Sequence, residues 1–168
     1  KINKKEYIKA LCSALAACAN KEYVKKRGHI IEEQLELPII LNTESTPNKT
    51  SQLIRLLQNL GLEKDLSRAK KPKQITGVGK RNKSKKYPKT FLLIVKDKNS
   101  PLAKAARNIA GADVKNATDL EVEDLAPGTH PGRLLIITKD GLAEIEKRIL
   151  HIKSKESKET RDEIKKEK

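Results

Sequence analysis

The side chains best able to do chemistry in this chain are cations concentrated in one stretch. Residues 66–96 contain eleven Lys or Arg residues and no Asp or Glu. Two glycines, two prolines and a tyrosine interrupt the stretch: Gly77, Gly79, Pro72, Pro88 and Tyr87. Cations at this density bind phosphates, and glycine lets backbone N–H groups approach them as well. The pattern predicts an extended basic loop over residues 68–90 that binds a polyanion.

Nine cations of this loop are the candidate phosphate contacts: Lys70, Lys71, Lys73, Lys80, Arg81, Lys83, Lys85, Lys86 and Lys89. They would neutralise phosphates and release counterions, while Tyr87 stacks on an exposed base or ribose. Because like charges repel one another, we expect the loop to be mobile until phosphates order it. Lys outnumbers Arg, so the loop favours phosphate affinity over directional base contacts.

A second candidate region is the turn in residues 125–133, with the sequence LAPGTHPGR. One interpretation is a rigid connection that carries a solvated histidine. The other is a preformed loop that offers backbone amides and side chains to a phosphate or ribose. Its binding residues would be Gly128, His130, Gly132 and Arg133. Arg107 and Asn108, at the end of a predicted helix, are either solvated caps or further contacts to nucleic acid.

Catalytic patterns match the chain poorly. The segment GVGKR, residues 77–81, resembles the end of a P-loop, but Arg81 replaces the required Ser or Thr and Gln74 stands where the first Gly should be. As a dinucleotide fingerprint the segment fails because Asn82 occupies the third glycine position. No nucleophile elbow is present, and the three histidines have no sequence-level partner that would mark a general base. We predict no catalytic residues, no enzyme activity and no cofactor.

The cysteines argue against a metal site. Cys12 and Cys18 are six residues apart in one predicted helix, so they face different sides and a disulfide between them is geometrically implausible. Neither belongs to a C-x-x-C pair and the histidines are scattered, so no zinc site is predicted. We interpret both cysteines as buried structural thiols.

The overall composition indicates an anionic partner. The chain has 168 residues, 36% of them hydrophobic, which suits one domain with a core of ordinary size. Its net charge of +15 and pI near 9.8 favour nucleic acid over an anionic membrane surface or an acidic protein. No apolar run approaches the roughly 18 residues of a membrane span, and no signal peptide is visible. We expect a cytoplasmic protein without a membrane or a small-molecule substrate as partner.

Alternating helix and strand patterns predict the fold class. Apolar spacing predicts helices over residues 6–20, 50–60, 100–110 and from residue 140, a shorter helix ending at Gly28, and at most a short helix within residues 119–126. Thr50 or Ser51, Ser100 and Asp140 are the predicted N-caps. Apolar runs predict strands at residues 35–41, 91–95, 112–116 and 134–138. We therefore predict one α/β domain over residues 1–152, with a largely parallel sheet flanked by helices, and a frayed or disordered charged tail over residues 153–168.

Five segments carry a resemblance: CSALAACAN, RGHIIEEQLELPIIL, GVGKRNKSKKYPK, RNIAGADV and LAPGTHPGRLLIIT. In their order and spacing, over roughly residues 4–150, the chain resembles the large-subunit ribosomal proteins of the universal L four family, in their archaeal and eukaryotic form. The patterns LAPG-x-H-x-GR and RNI-x-G are the sharpest of these motifs. The family also has a first strand and a basic extension toward the peptide exit tunnel ahead of the CSALAA helix. Because the chain lacks Met, we expect its numbering to begin within a longer gene product.

The resemblance implies a three-layer α/β domain that binds large-subunit ribosomal RNA in the cytoplasmic ribosome, beside neighbouring ribosomal proteins, and helps to assemble it. It implies no catalysis. It places the family's basic loop on residues 77–89, its RNI motif on Arg107 and Asn108, and its turn motif on Gly128, His130, Gly132 and Arg133.

Two other functions stay open on the residues alone. A nucleotide- or RNA-modifying enzyme would need a concave site with convergent polar groups. A protein-docking module, or a generic nucleic-acid-binding α/β module, is the other alternative. The docking module would use the acidic edge of Glu32, Glu33 and Glu36, or the charged tail, to hold a basic neighbour.

Overall fold

The centre of the molecule is a four-stranded parallel sheet. The computed structural model describes residues 2–42, 46–81 and 85–150. Its strands are β1 (Ile39–Leu41), β2 (Lys73–Gln74), β3 (Lys85–Lys86), β4 (Phe91–Val95), β5 (Asp113–Asn116) and β6 (Leu134–Thr138). The large sheet has the order β1-β6-β4-β5 with every pairing parallel, and β2 and β3 form a separate antiparallel pair. The predicted α/β class with a largely parallel sheet is confirmed. The predicted tail over residues 153–168 lies outside the described residues.

Helices cover both faces of the sheet. They are α1 (Lys4–Ala19), α2 (Lys21–Lys26), α3 (Thr50–Asn59), α4 (Glu63–Lys70), α5 (Val78–Arg81), α6 (Pro101–Arg107), α7 (Val122–Leu125) and α8, residues 139–150. None of the helices in the described part of the chain is long and apolar enough to cross a membrane.

Two hydrophobic clusters, one on each face of the sheet, make three layers. Phe91, Leu93 and Val95 of β4 point into one cluster, which contains residues of α2, α3, α4 and α6. Leu92 and Ile94 point into the other, which contains residues of α1, α7 and α8. All five residues of β4 and all five of β6 are buried, as the continuous apolar runs predict for central strands of a parallel sheet.

The N-caps agree with the sequence prediction at one helix and differ at two. Ser100 accepts a hydrogen bond from the Ala103 N–H at 3.3 Å and caps α6, as predicted. Asp140 does not cap α8, because the helix begins one residue earlier and the Thr138 hydroxyl accepts from the Gly141 N–H at 3.2 Å. At α3 the hydroxyl of Thr50 instead donates to the Ala105 carbonyl at 3.0 Å. That bond ties α3 to α6 on the same face of the sheet.

The first predicted strand is shorter than expected. The strand expected over residues 35–41 pairs only at Ile39–Leu41, because Leu35 and Leu37 pack on the core outside the ladder and Pro38 has no N–H to donate.

The burial expected for the two cysteines holds for one of them. In α1, Cys18 is buried but Cys12 is only half-buried. The helix turns Ala14 and Cys18 toward the sheet, so Cys12 lies at the margin of the buried stripe.

The basic region is more regular than an extended loop. Residues 63–70 form α4, and the antiparallel pair β2–β3 encloses the short helix α5. Lys73 stands opposite Lys86, and Gln74 opposite Lys85. The described part of this segment is therefore a short basic hairpin, hereafter the basic hairpin (residues 73–81 and 85–86), preceded by a helix that the sequence pattern did not predict.

Candidate nucleic-acid interface

A concave surface lined by cations lies where the chain enters two neighbouring strands. Pro88 and Lys89 precede β4, and His130 and Pro131 precede β6. Because β4 and β6 are parallel neighbours, these two entry segments meet at the same edge of the sheet. Between them is a pocket of about 590 Å³, hereafter the entry pocket. Its lining residues are Tyr23, Lys26, Arg27, His29, Arg68, Pro88, Lys89, His130 and Pro131.

Arg27 fixes one wall of the entry pocket. Its guanidinium donates to the carbonyls of His130 and Pro127, with 2.9 Å to the latter, and so holds the turn before β6. Burial and the nearby charge of Arg133 lower the pKa of Arg27 from its ordinary value. Gly132 brings the turn against α2, since a Cβ at that position would lie 2.5 Å from backbone atoms of Tyr23.

His29 forms the floor of the entry pocket. It is 6% exposed, and its Nε2 accepts from the Leu134 N–H at 3.4 Å. Its Nδ1 lies 3.4 Å from the Asp65 carboxylate, which is itself buried. Both ring nitrogens therefore have partners within the protein, and His29 serves as a structural contact between α2, α4 and β6.

Asp65 positions a second cation. Its carboxylate accepts from the Ile30 N–H and from Arg68 Nε, each at 3.0 Å, and Arg68 also donates to the Lys89 carbonyl at 2.8 Å. Burial acts to raise the pKa of Asp65, but the bonds from His29 and Ile30 and the charge of Arg68 outweigh it, so the pKa is lowered. Arg68 is thereby held at the junction of α4 and the segment that enters β4.

Asp113, the first residue of β5, positions a third cation. Lys89 Nζ donates to both of its carboxylate oxygens, at 2.8 and 2.9 Å, and Arg133 pairs with it from within the protein. Burial acts to raise the pKa of Asp113, but the bonds from Lys89 and Arg133 and their charges lower it. Arg133 is 2% exposed and also donates to the Asp124 carbonyl at 3.0 Å. The predicted contact of Arg133 to phosphate is therefore revised, because its guanidinium is buried and binds Asp113 and the Asp124 carbonyl.

The other predicted cations lie at the surface next to the entry pocket. Lys70 and Lys71 are exposed at the end of α4. Lys73, Lys85 and Lys86 are exposed on the basic hairpin, as is Arg81 at the end of α5. Among the described residues, these hairpin cations form no salt bridge. Gly77 and Tyr87 are exposed, Gly79 and Lys80 lie within α5, and Lys83 lies outside the described residues.

A second concavity adjoins the first across the base of the basic hairpin. It has a volume of about 680 Å³ and shares Arg68 and Pro88 with the entry pocket. Lys64, Lys71 and Lys73 also line it. The hairpin base is held in place at Gly111, where a Cβ would lie 2.1 Å from the Pro88 carbonyl oxygen. Glu63 is the acid among the lining residues of the second concavity. The two concavities therefore form a mainly basic surface that continues from the turn before β6 to the hairpin.

Among the remaining candidates, Arg107 and Asn108 lie apart from this surface, whereas the turn with Gly128 and His130 borders it. Arg107 ends α6 and donates to the Lys98 carbonyl at 2.9 Å, and Asn108 caps the same helix. Neither lines the entry pocket. Asn108 lines a different concavity of about 230 Å³ beside Lys70. Gly128 shapes the turn that carries His130, and His130 itself is exposed in the pocket wall.

Apart from the two prolines, five residues of the entry pocket were not predicted as site residues: Tyr23, Lys26, Arg27, His29 and Arg68. The first three belong to the end of α2, which the sequence marks only as a basic helix terminus before Gly28. Arg68 was visible as a member of the basic stretch but not as a site residue. The signal that could have drawn attention to it is Asp65, three residues earlier, since an acid within a cationic helix is a natural partner.

In the described part of the chain, the carboxyl edge of the sheet, where α/β folds usually bind ligands, has only a small concavity. The concavity there, between the ends of β4 and β6, has a volume of only about 100 Å³. Within the described residues, no group of three or more His, Cys, Asp or Glu side chains could hold a metal ion. Among the described residues, the larger of these two concavities is thus the entry pocket, at the opposite, amino edge of the strands.

Fold and surface together define a three-layer α/β protein with a preformed basic groove suited to a polyanion. The sequence model of the ribosomal protein L4/L1 family matches residues 1–148, so the chain belongs to this family. The family resemblance noted in the sequence motifs is confirmed.

Archaeal relatives support the assignment. The chain is 45% identical over 152 residues to the large ribosomal subunit protein uL4 of Nanoarchaeum equitans, covering 89% of this chain and 56% of that protein. It is 42% identical over 151 residues to the uL4 protein of Saccharolobus islandicus, covering 88% and 57%. Identity to the uL4 protein of Methanococcus aeolicus is 41% over 151 residues, covering 88% and 60%. The chain therefore spans a little over half the length of these relatives, whose names are those of ribosomal proteins and not of enzymes.

Proposed function

We propose that the chain is a structural constituent of the large ribosomal subunit that binds large-subunit ribosomal RNA and supports its folding and assembly, without catalysis. The observation that carries the proposal is the entry pocket. Four Lys or Arg side chains line it, and none of its lining residues in the described part of the chain carries a carboxylate. The exposed cations of the basic hairpin follow Arg68 and precede Pro88 along the chain. The archaeal relatives are named as proteins of the large ribosomal subunit, which supports large-subunit RNA as the polyanion.

The mechanism has two electrostatic stages. Exposed cations of the basic hairpin and of the end of α4 attract phosphates at a distance and release their counterions on contact. The entry pocket then fits a particular part of the folded RNA, because Arg27, Arg68 and Lys89 are already fixed by contacts within the protein. Cations that are ordered before binding lose less conformational entropy when the RNA arrives.

The partners follow from this surface and from the family. RNA is the primary partner, neighbouring proteins of the cytoplasmic large subunit are secondary ones, and neither a membrane nor a small-molecule substrate has a role. The acidic edge considered for protein docking is partly occupied within the chain, since Glu33 pairs with Lys25 at 3.5 Å.

Binding to folded large-subunit RNA, compared with random RNA of equal length over a range of salt, tests the proposal. We expect a steep fall of log affinity with log salt together with a clear preference for the ribosomal RNA. A steep slope without preference would leave a generic polycation and would contradict the proposed role. Folded RNA of the small subunit, matched in length, is the control for shape alone.

A further inference from the structure

We propose that the entry pocket captures a single unpaired nucleotide extruded from the bound RNA, with its base held between Tyr23 and the proline walls and its phosphate on the fixed cations. The inference rests on the proposed function and specifies which feature of the RNA the pocket takes. It is carried by the pocket's size, its aromatic and proline surfaces, and the state of its cations.

The size of the pocket fits a nucleotide. A volume of about 590 Å³ lies in the range of sites that hold compact ligands. A paired RNA helix is recognised over its grooves and backbone, whereas single nucleotides that leave the stack are held in pockets and stacked on flat side chains. A concave site beside a surface hairpin therefore matches an extruded nucleotide better than a helix.

The pocket offers flat apolar surfaces for a base. Tyr23 is 45% exposed and lines the pocket, so its ring is accessible to a ligand although its backbone is packed tightly against Gly132. Pro88 and Pro131 come from the two strand-entry segments and also line the pocket. Flipped bases are commonly held between aromatic and apolar side chains of this kind.

The cations around these surfaces are anchored. Arg27 is held by two carbonyls, Arg68 by Asp65 and the Lys89 carbonyl, and Lys89 by Asp113. Arg68 and Lys89 reach the pocket from the side of the basic hairpin, so a strand whose phosphates follow the hairpin would bring its backbone to them. The donors not used by the protein remain available to a phosphate.

The same features disfavour an acidic peptide as the occupant. A peptide needs backbone partners for its own N–H and C=O groups. Pro88 and Pro131 have no N–H to donate, and the carbonyls of Pro127, His130 and Lys89 already accept from Arg27 and Arg68. The pocket presents cations and rings, which is the combination that a nucleotide requires.

Chemical probing of full-length archaeal large-subunit RNA, alone and with the 168-residue chain, tests the inference. We expect protection of the base and the 2′-hydroxyl of one unpaired nucleotide, together with protection of backbone nearby. Tyr23→Ala should remove the base protection, retain the backbone protection, and weaken binding about 5- to 150-fold, as base–aromatic stacking contributes per nucleotide. Tyr23→Phe should retain the base protection, since the stacking surface remains.

The outcomes distinguish a failure of the nucleotide pocket from a failure of the proposed function. Specific binding with protections confined to paired RNA, or protections unchanged in Tyr23→Ala, would overturn the nucleotide pocket while leaving RNA binding intact. Loss of all protections in Tyr23→Ala, with an unchanged circular dichroism melting curve, would also contradict it, because stacking is one contact among several. Absence of specific binding by the wild-type chain would overturn the proposed function and this inference with it.

Discussion

The basic hairpin and the entry pocket carry charge of the same sign in two different states. On the hairpin, Lys73 stands opposite Lys86, both are exposed, and like charges directly opposite one another destabilise a strand pair. In the pocket, Arg68 and Lys89 are bound to Asp65 and Asp113. Charge in this chain therefore has two uses. We infer that the exposed hairpin cations, which form no salt bridge among the described residues, supply affinity for any polyanion, and that the fixed cations of the pocket select the RNA that fits.

Removing charge from the basic hairpin and from the adjoining end of α4 should weaken RNA binding most. The variant that does so is hereafter the sixfold hairpin variant. A sixfold substitution to Gln should weaken binding to large-subunit RNA at least 100-fold at moderate salt and reduce the slope of log affinity against log salt by up to about 5. The substituted residues are Lys70, Lys71, Lys73, Arg81, Lys85 and Lys86, all exposed. The melting temperature should change little, because none of them contributes to the core. Filter binding over a salt series, with thermal melting, measures both.

A matched control makes this result specific. Six exposed lysines on α1, α6 and α8 can be changed to Gln for the same loss of net charge: Lys4, Lys5, Lys9, Lys104, Lys139 and Lys147. We expect a much smaller loss of affinity from this set. Equal losses in the two variants would show that net charge alone drives binding and that the position of the hairpin cations has no effect.

Arg133→Ala should destabilise the fold more than any hairpin substitution. The side chain is 2% exposed, pairs with Asp113 and donates to the Asp124 carbonyl, so its removal leaves a cavity and unsatisfied partners. We expect the free energy of unfolding to fall by about 2–4 kcal/mol in urea titration. Arg81→Ala, an exposed cation, should change it by less than about 0.5 kcal/mol. Similar small effects in both would mean that Arg133 is not an internal anchor.

Asp65→Asn should lower stability at neutral pH and flatten its dependence on acid. The folded pKa of Asp65 is below its ordinary value, so the unfolded chain takes up the proton at higher pH than the folded chain. The stabilisation is complete above about pH 5 and is lost as the pH falls through the folded pKa. We expect a loss of about 1–3 kcal/mol at pH 7 and a shallower acid slope in urea titrations.

Asp119→Asn is the control for that experiment. Its carboxylate is 56% exposed and pairs with Lys98 at 3.5 Å, a surface contact that contributes little to stability. An acid slope in Asp65→Asn as steep as in the wild-type chain would show that the network beneath the entry pocket is not stabilised by its charge.

Reversing the charge of one hairpin lysine should have the smallest effect on stability. Lys86→Glu places an acid opposite Lys73 and should stabilise the β2–β3 pair by about 0.2–1 kcal/mol. Amide hydrogen exchange of the hairpin should slow, while affinity for RNA falls. Lys86→Gln serves as the neutral control, with intermediate exchange and affinity. Faster exchange in Lys86→Glu would contradict the repulsion between the two lysines.

Much of the fold was predictable because its signals are local. The apolar runs of β4 and β6, the Ser100 cap and the helix ends near Gly28 and Gly61 each depend on a few adjacent residues. Helix α4 was missed because it buries only Leu66, Ala69 and the charged Asp65, so its apolar stripe is short. A buried acid looks like a surface residue until its partners in space are known.

The candidate site was predictable only in part, for a topological reason. The basic stretch and the turn around His130 can be seen in the sequence, but they come together because β6 lies between β1 and β4, and strand order cannot be read from the chain. Arg133 was assigned to the surface because Asp113, its partner, lies twenty residues away on β5. Tyr23 lies beside the turn before β6 because Gly132 packs closely against α2, a contact that the sequence does not reveal.

The most direct test of the two uses of charge compares three proteins in one titration. Wild type, the sixfold hairpin variant and Tyr23→Ala/His130→Ala, which removes no Lys or Arg, are titrated with large-subunit RNA and with random RNA of equal length over a salt series. We predict that the hairpin variant loses affinity for both RNAs and has a shallower salt slope, with its preference largely kept. The pocket variant should lose preference at a nearly unchanged slope. The pocket variant should therefore lose affinity for the large-subunit RNA and keep its affinity for random RNA. Equal losses for the two RNAs in the pocket variant, or a loss of preference in the hairpin variant, would contradict a division of affinity and selection between these two regions.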